Sequence, residues 1–216
     1  MSKSVLVIGL GRFGRYLTKK LEELDHDVLA VDMNEERVNA ALKYTSNAMI
    51  GDCTSEDFLG TLGVDNFDVC YVTIGDNFLA SLEATSLLKE LGAKLVVARA
   101  SRETQEKFLL RNGADEVVFP EEQLANWSAI RYTANHVFDY IEVDGDYSIF
   151  EVEVPESWVG KAIVDLDVRK KMNINILGIR RNGVMDMKVT PNMILEKGES
   201  LLVLGIYENI RKSFKL

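Results

Sequence analysis

Gly9, Gly11 and Gly14 stand at the spacing GxGxxG, directly after the apolar run Val5-Leu6-Val7-Ile8. Phe13, Leu17, Leu21 and Leu24 follow at helical spacing. Between a strand and a helix each glycine has a task. Gly9 allows a tight turn, Gly11 lets the backbone approach a pyrophosphate, and Gly14 lets the helix close on the strand. The helix start offers unpaired N–H donors and a partial positive charge, which suits phosphate. Asp32 ends the next apolar run, 18 residues after Gly14. A carboxylate there accepts from ribose hydroxyls and repels a 2′-phosphate, so a nucleotide is expected and NADP is not.

In an open parallel sheet a ligand sits beyond the carboxyl ends of the strands. That rule gathers Gly51-Asp52-Cys53-Thr54, Gly75-Asp76-Asn77 and Arg99 around the same crevice. Asp52 and Asp76 are either ligand contacts or caps of the helices that follow. Arg12 lies inside the glycine loop, where a guanidinium can pair with a terminal phosphate or simply be solvated. Arg15, on the first helical turn, is placed to reach a neighbouring subunit.

The chemistry that would turn over a bound nucleotide is missing from the pattern. The two histidines, His26 and His136, fall at no strand end near the glycine loop. There is no P-loop lysine motif, no GxSxG and no His-rich metal motif. A sensor is expected rather than an enzyme. The net charge is −9, with 14 basic and 22 acidic residues up to Tyr140. That balance excludes a phosphate-tracking surface, so no nucleic-acid polymer is expected as partner. Two cysteines, Cys53 and Cys70, form no metal or disulfide spacing and suit a reducing compartment. The first apolar run is too short to span a bilayer, so a cytoplasmic protein is expected, reaching a membrane only through a partner.

The elements that must position these residues alternate along residues 1–120. Apolar runs at 5–8, 28–31, 48–50, 69–74, 95–98 and 117–119 read as strands buried on both faces. Helical stretches separate them, with Asn34 and Ser55 as candidate caps and Asn112-Gly113 as a candidate stop. The expectation is an α/β fold: a Rossmann-like, doubly wound parallel sheet of six strands. Residues 121–140 read as one further helix, either packed on its own domain or crossing to a second subunit. The stretch Val143-Asp144-Gly145-Asp146 reads as a linker. Beyond it come an alternating strand at 148–154, a short helix at 164–172, a hairpin turned by Asn182-Gly183, a strand at 201–204 and a last helix at 208–214. These form a small α+β domain. The organisation read is 1–120 nucleotide domain, 121–143 crossover helix and linker, 144–216 C-terminal module.

The run Val5 to Gly14, Asp32 with Asn34-Glu35, Gly51 to Thr54, Ile74-Gly75-Asp76-Asn77 and Gly113-Ala114-Asp115 to Pro120-Glu121 together resemble an RCK/KTN (TrkA-N) domain. Trp158 to Lys161, Ile163 to Arg169 and Ile194 to Gly205 resemble the associated TrkA-C module. In order and over the whole length, the chain is similar to the cytosolic regulatory subunits of Ktr/Trk-type bacterial potassium transporters. The resemblance implies homodimers assembling into an octameric ring beneath an integral-membrane potassium-translocating subunit, with ATP and ADP favouring different ring states and NAD(H) bound in some relatives. It places Gly9, Gly11, Arg12, Phe13, Gly14, Asp32, Asp52, Cys53, Thr54, Gly75 and Arg99 on the nucleotide, with Asn34, Ile74, Asp76 and Asn77 alongside. Arg12 then reads the γ-phosphate. The resemblance assigns Glu121 to a divalent or monovalent cation at the dimer interface; otherwise it is a first-turn helix carboxylate. It tips the helix at 121–140 toward subunit exchange. It also implies a cyclic di-AMP site on Ile163, Asp167, Val168, Arg169, Asn175, Ile176 and Pro191, although Ile163, Val168 and Ile176 read equally as plain core. The alternatives on this fold are an NAD(H)-binding redox sensor and a small oxidoreductase.

Overall fold

The computed structural model describes residues 2–133 and 137–216 and divides the chain into two units, Met1–Glu121 and Glu122–Leu216. In the first unit the strands are β1 (Ser4–Ile8), β2 (Asp27–Asp32), β3 (Ala48–Ile50), β4 (Val69–Val72), β5 (Val96–Arg99) and β6 (Glu116–Val118). They pair in parallel in the order β3-β2-β1-β4-β5-β6. The chain reverses direction across the sheet between β1 and β4, which opens a crevice at their carboxyl ends. The helices α1 (Arg12–Glu23), α2 (Glu35–Ala41), α3 (Glu56–Thr61), α4 (Phe78–Glu90) and α5 (Glu103–Arg111) connect the strands. Val5 and Val7 point into one apolar cluster and Leu6 and Ile8 into the other, so β1 is buried on both faces. The caps read at Asn34 and Ser55 hold, each accepting the amide of the residue three positions on to start α2 and α3; α4 starts the same way at Asn77, the residue after Asp76.

The second unit carries a five-stranded antiparallel-paired sheet, β10-β9-β11-β8-β7. Its strands are β7 (Val137–Asp144), β8 (Tyr147–Glu153), β9 (Ile174–Arg181), β10 (Val184–Asp186) and β11 (Ser200–Ile206). Phe150, Val152, Ile174, Leu201 and Val203 form its core with Trp158 and Ile210. Asn182 and Gly183 both have positive φ, as a tight β9–β10 turn of type I′ requires. The stretch read as one helix at 164–172 is two, α7 (Ile163–Leu166) and α8 (Val168–Met172), because Asp167 between them takes a left-handed φ of 47°. The last helix is α9 (Tyr207–Phe214).

The helix read over 121–140 needs correction. α6 covers Pro120–Thr133, and Val137–Asp144 is the edge strand β7. The pairing of β7 with β8 slips by one residue between Val137 and Asp139. The slip lets Val137 and Tyr140, three apart, both join the core, where strict alternation would put them on opposite faces. A three-residue apolar spacing then mimics a helix. For the same reason Val143 to Asp146 is no linker: Asp144 pairs with Tyr147 across a hairpin turn. His136 lies outside the described residues. Among the described residues no helix is long and apolar enough to cross a membrane.

Candidate nucleotide site

The glycine loop leaves β1 at Gly9, where φ is +92°. A Cβ there would lie 2.9 Å from the Ile74 amide nitrogen, so the loop lies directly against the end of β4. The Thr73 hydroxyl lies 3.0 Å from the Ile8 carbonyl and 2.5 Å from that of Gly9, tying the loop to β4 from the side. Gly14 lies behind the loop: a Cβ there would stand 2.0 Å from the Gly9 carbonyl oxygen. Gly11 is the opposite case, with nothing within 4 Å of an added Cβ. It caps α1 in extended conformation and has no side chain to satisfy the first amides. No side chain caps those amides, and Gly11, Arg12 and Phe13 line a cleft, as a phosphate site requires.

Asp32 sits at the end of β2 and is 6% exposed. Its carboxylate accepts from the Leu10 amide at 2.6 Å and the Asn34 amide at 2.8 Å. Each oxygen keeps a lone pair for a ribose hydroxyl. Arg37, on α2, lies 3.7 Å from Asp32 and 3.2 Å from Asp76, spanning the two loops. Asp52 accepts from both the amide and the hydroxyl of Thr54, at 2.9 and 2.7 Å. Those two bonds, the hydroxyl's first, hold its carboxyl below the ordinary carboxylate range. The caps of α3 and α4 are Ser55 and Asn77, so neither Asp52 nor Asp76 is occupied as a cap.

These groups surround one cleft of about 770 Å³, in the size range of small-molecule sites. Of the residues expected there, Gly9, Gly11, Arg12, Phe13, Asp32 and Asp52 line it. Cys53, Thr54, Ile74, Gly75, Asp76, Asn77 and Arg99 complete that set. Gly14 supports the loop from behind, and Asn34 lies off the lining as the cap of α2. Arg12 has no ion-pair partner among the described residues, whereas Arg15 donates to the Leu10 carbonyl at 3.2 Å. Thr73, Met33 and Arg37 also line the cleft and escape the sequence reading. Thr73 directly follows β4 and precedes Ile74, which is the only local signal it gives.

Arg99 pairs with Glu121. No group of three or more His, Cys, Asp or Glu is arranged to hold a metal among the described residues. His26 lies away from the cleft, accepting the Lys3 amide on Nδ1 at 3.2 Å. Burial, then Asp52 and Asp32, pushes the Cys53 thiol up to about 12; burial alone raises Cys70 to about 12. Neither forms thiolate at neutral pH. Iodoacetamide at neutral pH is expected to leave both untouched in the folded chain and to label both in denaturant; native labelling of Cys53 would contradict this.

In the second unit, Arg169 Nε donates to Asn175 Oδ1 at 2.7 Å, and the Pro191 carbonyl accepts the Val164 amide at 2.8 Å. Val168 is buried in the core; Ile163 and Ile176 are half-buried against it. Asp167 serves the α7–α8 break through its backbone.

Residues 5–120 match the TrkA-N domain and residues 149–216 the TrkA-C domain. The chain is 37% identical to the Ktr system potassium uptake protein C of Bacillus subtilis, over 98% of this chain and 96% of that protein. It is 36% identical to the Ktr system potassium uptake protein A of the same organism, over 98% of this chain and 95% of the relative. A crystal structure of the GsuK RCK domain superposes with a TM-score of 0.68 at 20% identity, and a structure of the GsuK channel bound to NAD does so at 0.68 and 19%. These cover 100% and 97% of this chain but 48% and 38% of the GsuK chains, so they speak to the fold.

Proposed function

The chain belongs to the TrkA-N/TrkA-C family of Ktr-type potassium uptake proteins, and on that premise we propose that it is the nucleotide-sensing regulatory subunit of a potassium uptake system. The observation that carries the nucleotide reading is the open start of α1. Gly11 leaves space for a pyrophosphate, no side chain caps the first amides of the helix, and Arg12 stands beside it unpaired among the described residues. Asp32 is positioned for the ribose. ATP and ADP are the ligands, with NAD(H) the alternative that the same ribose contact admits. A sensing role fits the cleft better than a catalytic one: among the described residues its lining holds no histidine, and burial pushes the Cys53 thiol up to about 12.

The subunit works as a homodimer within an octameric ring at the cytoplasmic face of a membrane potassium-translocating subunit. α6 supports the dimer. None of its described residues is buried, and Leu124 and Tyr132 are 63% and 73% exposed. A second copy covers such a face, and Glu121 at its first turn then meets its counterpart and holds a cation. Cyclic di-AMP is the proposed ligand of the second unit, on Ile163, Asp167, Val168, Arg169, Asn175, Ile176 and Pro191. Breaking the Arg169–Asn175 contact frees a guanidinium for phosphate.

Nucleotides shift a ring only by their different affinities for its two shapes. ATP and ADP differ by one phosphate, so discrimination must come from a contact to that group. Arg12→Ala is therefore expected to leave ADP affinity within about twofold and to weaken ATP by about tenfold or more, the range of a charge-assisted hydrogen bond. Calorimetry of nucleotide-free protein with ATP, ADP, NADH and cyclic di-AMP measures it, and small-angle scattering follows the ring. Retained ATP preference in Arg12→Ala removes Arg12 from the role. Binding of NADH alone replaces the ATP/ADP reading with redox sensing.

A further inference from the structure

Resting on the reading of the cleft as a polyphosphate site, we infer that Glu121 and the ligand's phosphates compete for one guanidinium, that of Arg99. Glu121 is then a built-in anion that the ligand must displace, and it holds down the affinity of the more highly charged nucleotide most. Arg99 is held in place by its surroundings. Its guanidinium carbon lies 6.0 Å from the Phe13 ring centre, and a Cβ on Gly75 would stand 2.0 Å from Nη1. Its side chain is 15% exposed, and Nε is buried with no partner among the described residues. Glu121, its one ion-pair partner among them, is 59% exposed. The cation is fixed and the carboxylate is free to turn into water. An arriving phosphate therefore moves Glu121 rather than Arg99.

The other charges of the cleft make the exchange specific. Arg12, Arg15, Arg37 and Arg99 border it, as do Asp32, Asp52, Asp76 and Glu121. Asp32 is held by two backbone amides, Asp52 by Thr54 and Asp76 by Arg37. Of the four carboxylates, Glu121 alone occupies the arginine at the end of β5. Once displaced it remains on the first turn of α6, where the helix end tolerates negative charge. A ligand with more phosphate charge repels Glu121 more strongly, so the carboxylate weakens ATP more than ADP. Glu121, in turn, becomes available to a cation only when the cleft holds phosphate.

The test is calorimetry with ATP and ADP in a chelator, so that no divalent cation screens Glu121, on wild type, Glu121→Gln, Arg99→Gln and the double variant. Glu121→Gln is expected to tighten ATP by about tenfold and ADP by about threefold, because it removes an opposing charge and leaves Arg99 unpaired. Arg99→Gln is expected to weaken both, and Glu121→Gln added to it to change ATP affinity by less than about twofold. This non-additivity, graded by ligand charge, is a signature that a merely structural pair would not give. Wild type that binds ATP with Glu121→Gln unchanged or weaker overturns the exchange and leaves the nucleotide reading intact. Wild type that binds no nucleotide overturns both.

Discussion

Gly14→Ala is expected to abolish adenine-nucleotide binding and to lower the stability of the first unit by about 2 kcal/mol, within the range of an overpacked contact. The added methyl would lie 2.0 Å from the Gly9 carbonyl oxygen and 2.6 Å from the Thr73 hydroxyl. Neither is the loose end of a flexible side chain. The Gly9 amide donates to the Val31 carbonyl at 2.8 Å, and its carbonyl oxygen contacts Thr73, so the loop cannot yield without breaking its ties to β2 and β4. α1 must move instead, and with it go Gly11, Arg12 and the open amides. Gly11→Ala provides the contrast. Nothing lies within 4 Å of its methyl, so stability should hold to within about 0.5 kcal/mol while binding falls, because the methyl takes the space a pyrophosphate needs. Urea denaturation and calorimetry on both variants separate the two effects. A Gly14→Ala chain as stable as wild type, binding ATP normally, would refute the close-packing role.

What could be read from the sequence follows how local each signal is. Unbroken apolar runs identify all six strands of the first sheet because both faces are covered, and single-residue caps at Asn34 and Ser55 mark helix starts by a bond three residues away. The glycine loop is legible because its three positions carry separate steric demands. β7 is not, because its register slip replaces a period of two with a spacing of three. Arg37 escapes notice because its meeting with Asp32 and Asp76 depends on which loops the parallel sheet sets side by side. The Arg99–Glu121 pair is hidden for the same reason: β6 must first pair with β5 to bring Glu121 near.

Glu151 is the sharpest case of this kind, since alternation along 148–154 assigns it to a solvated face. It is buried there, and Arg180 from β9 reaches it with Nε at 2.6 Å and Nη2 at 3.0 Å, while the Ser200 hydroxyl donates at 2.5 Å. Arg180→Leu is therefore expected to cost about 2–3 kcal/mol at neutral pH, because the carboxylate stays buried without its cation. The pH dependence identifies the cause. In wild type the Arg180 hydrogen bonds, against the opposing effect of burial and with Ser200 assisting, hold the Glu151 carboxyl below its ordinary 4.5. A lowered carboxyl contributes stability that is complete above the unfolded value and is lost as pH falls through the folded one. Without Arg180 the carboxyl loses its largest lowering influence and rises against burial, so protonation relieves the variant before it harms the wild type. The gap between the two in urea denaturation should shrink between about pH 7 and about pH 4. Replacing Glu151 by Leu as well should recover most of the loss, since an apolar pair of similar volume needs no cation. A deficit that stays constant across that pH range would mean Arg180 matters through its packing alone and that the buried charge carries none of the cost.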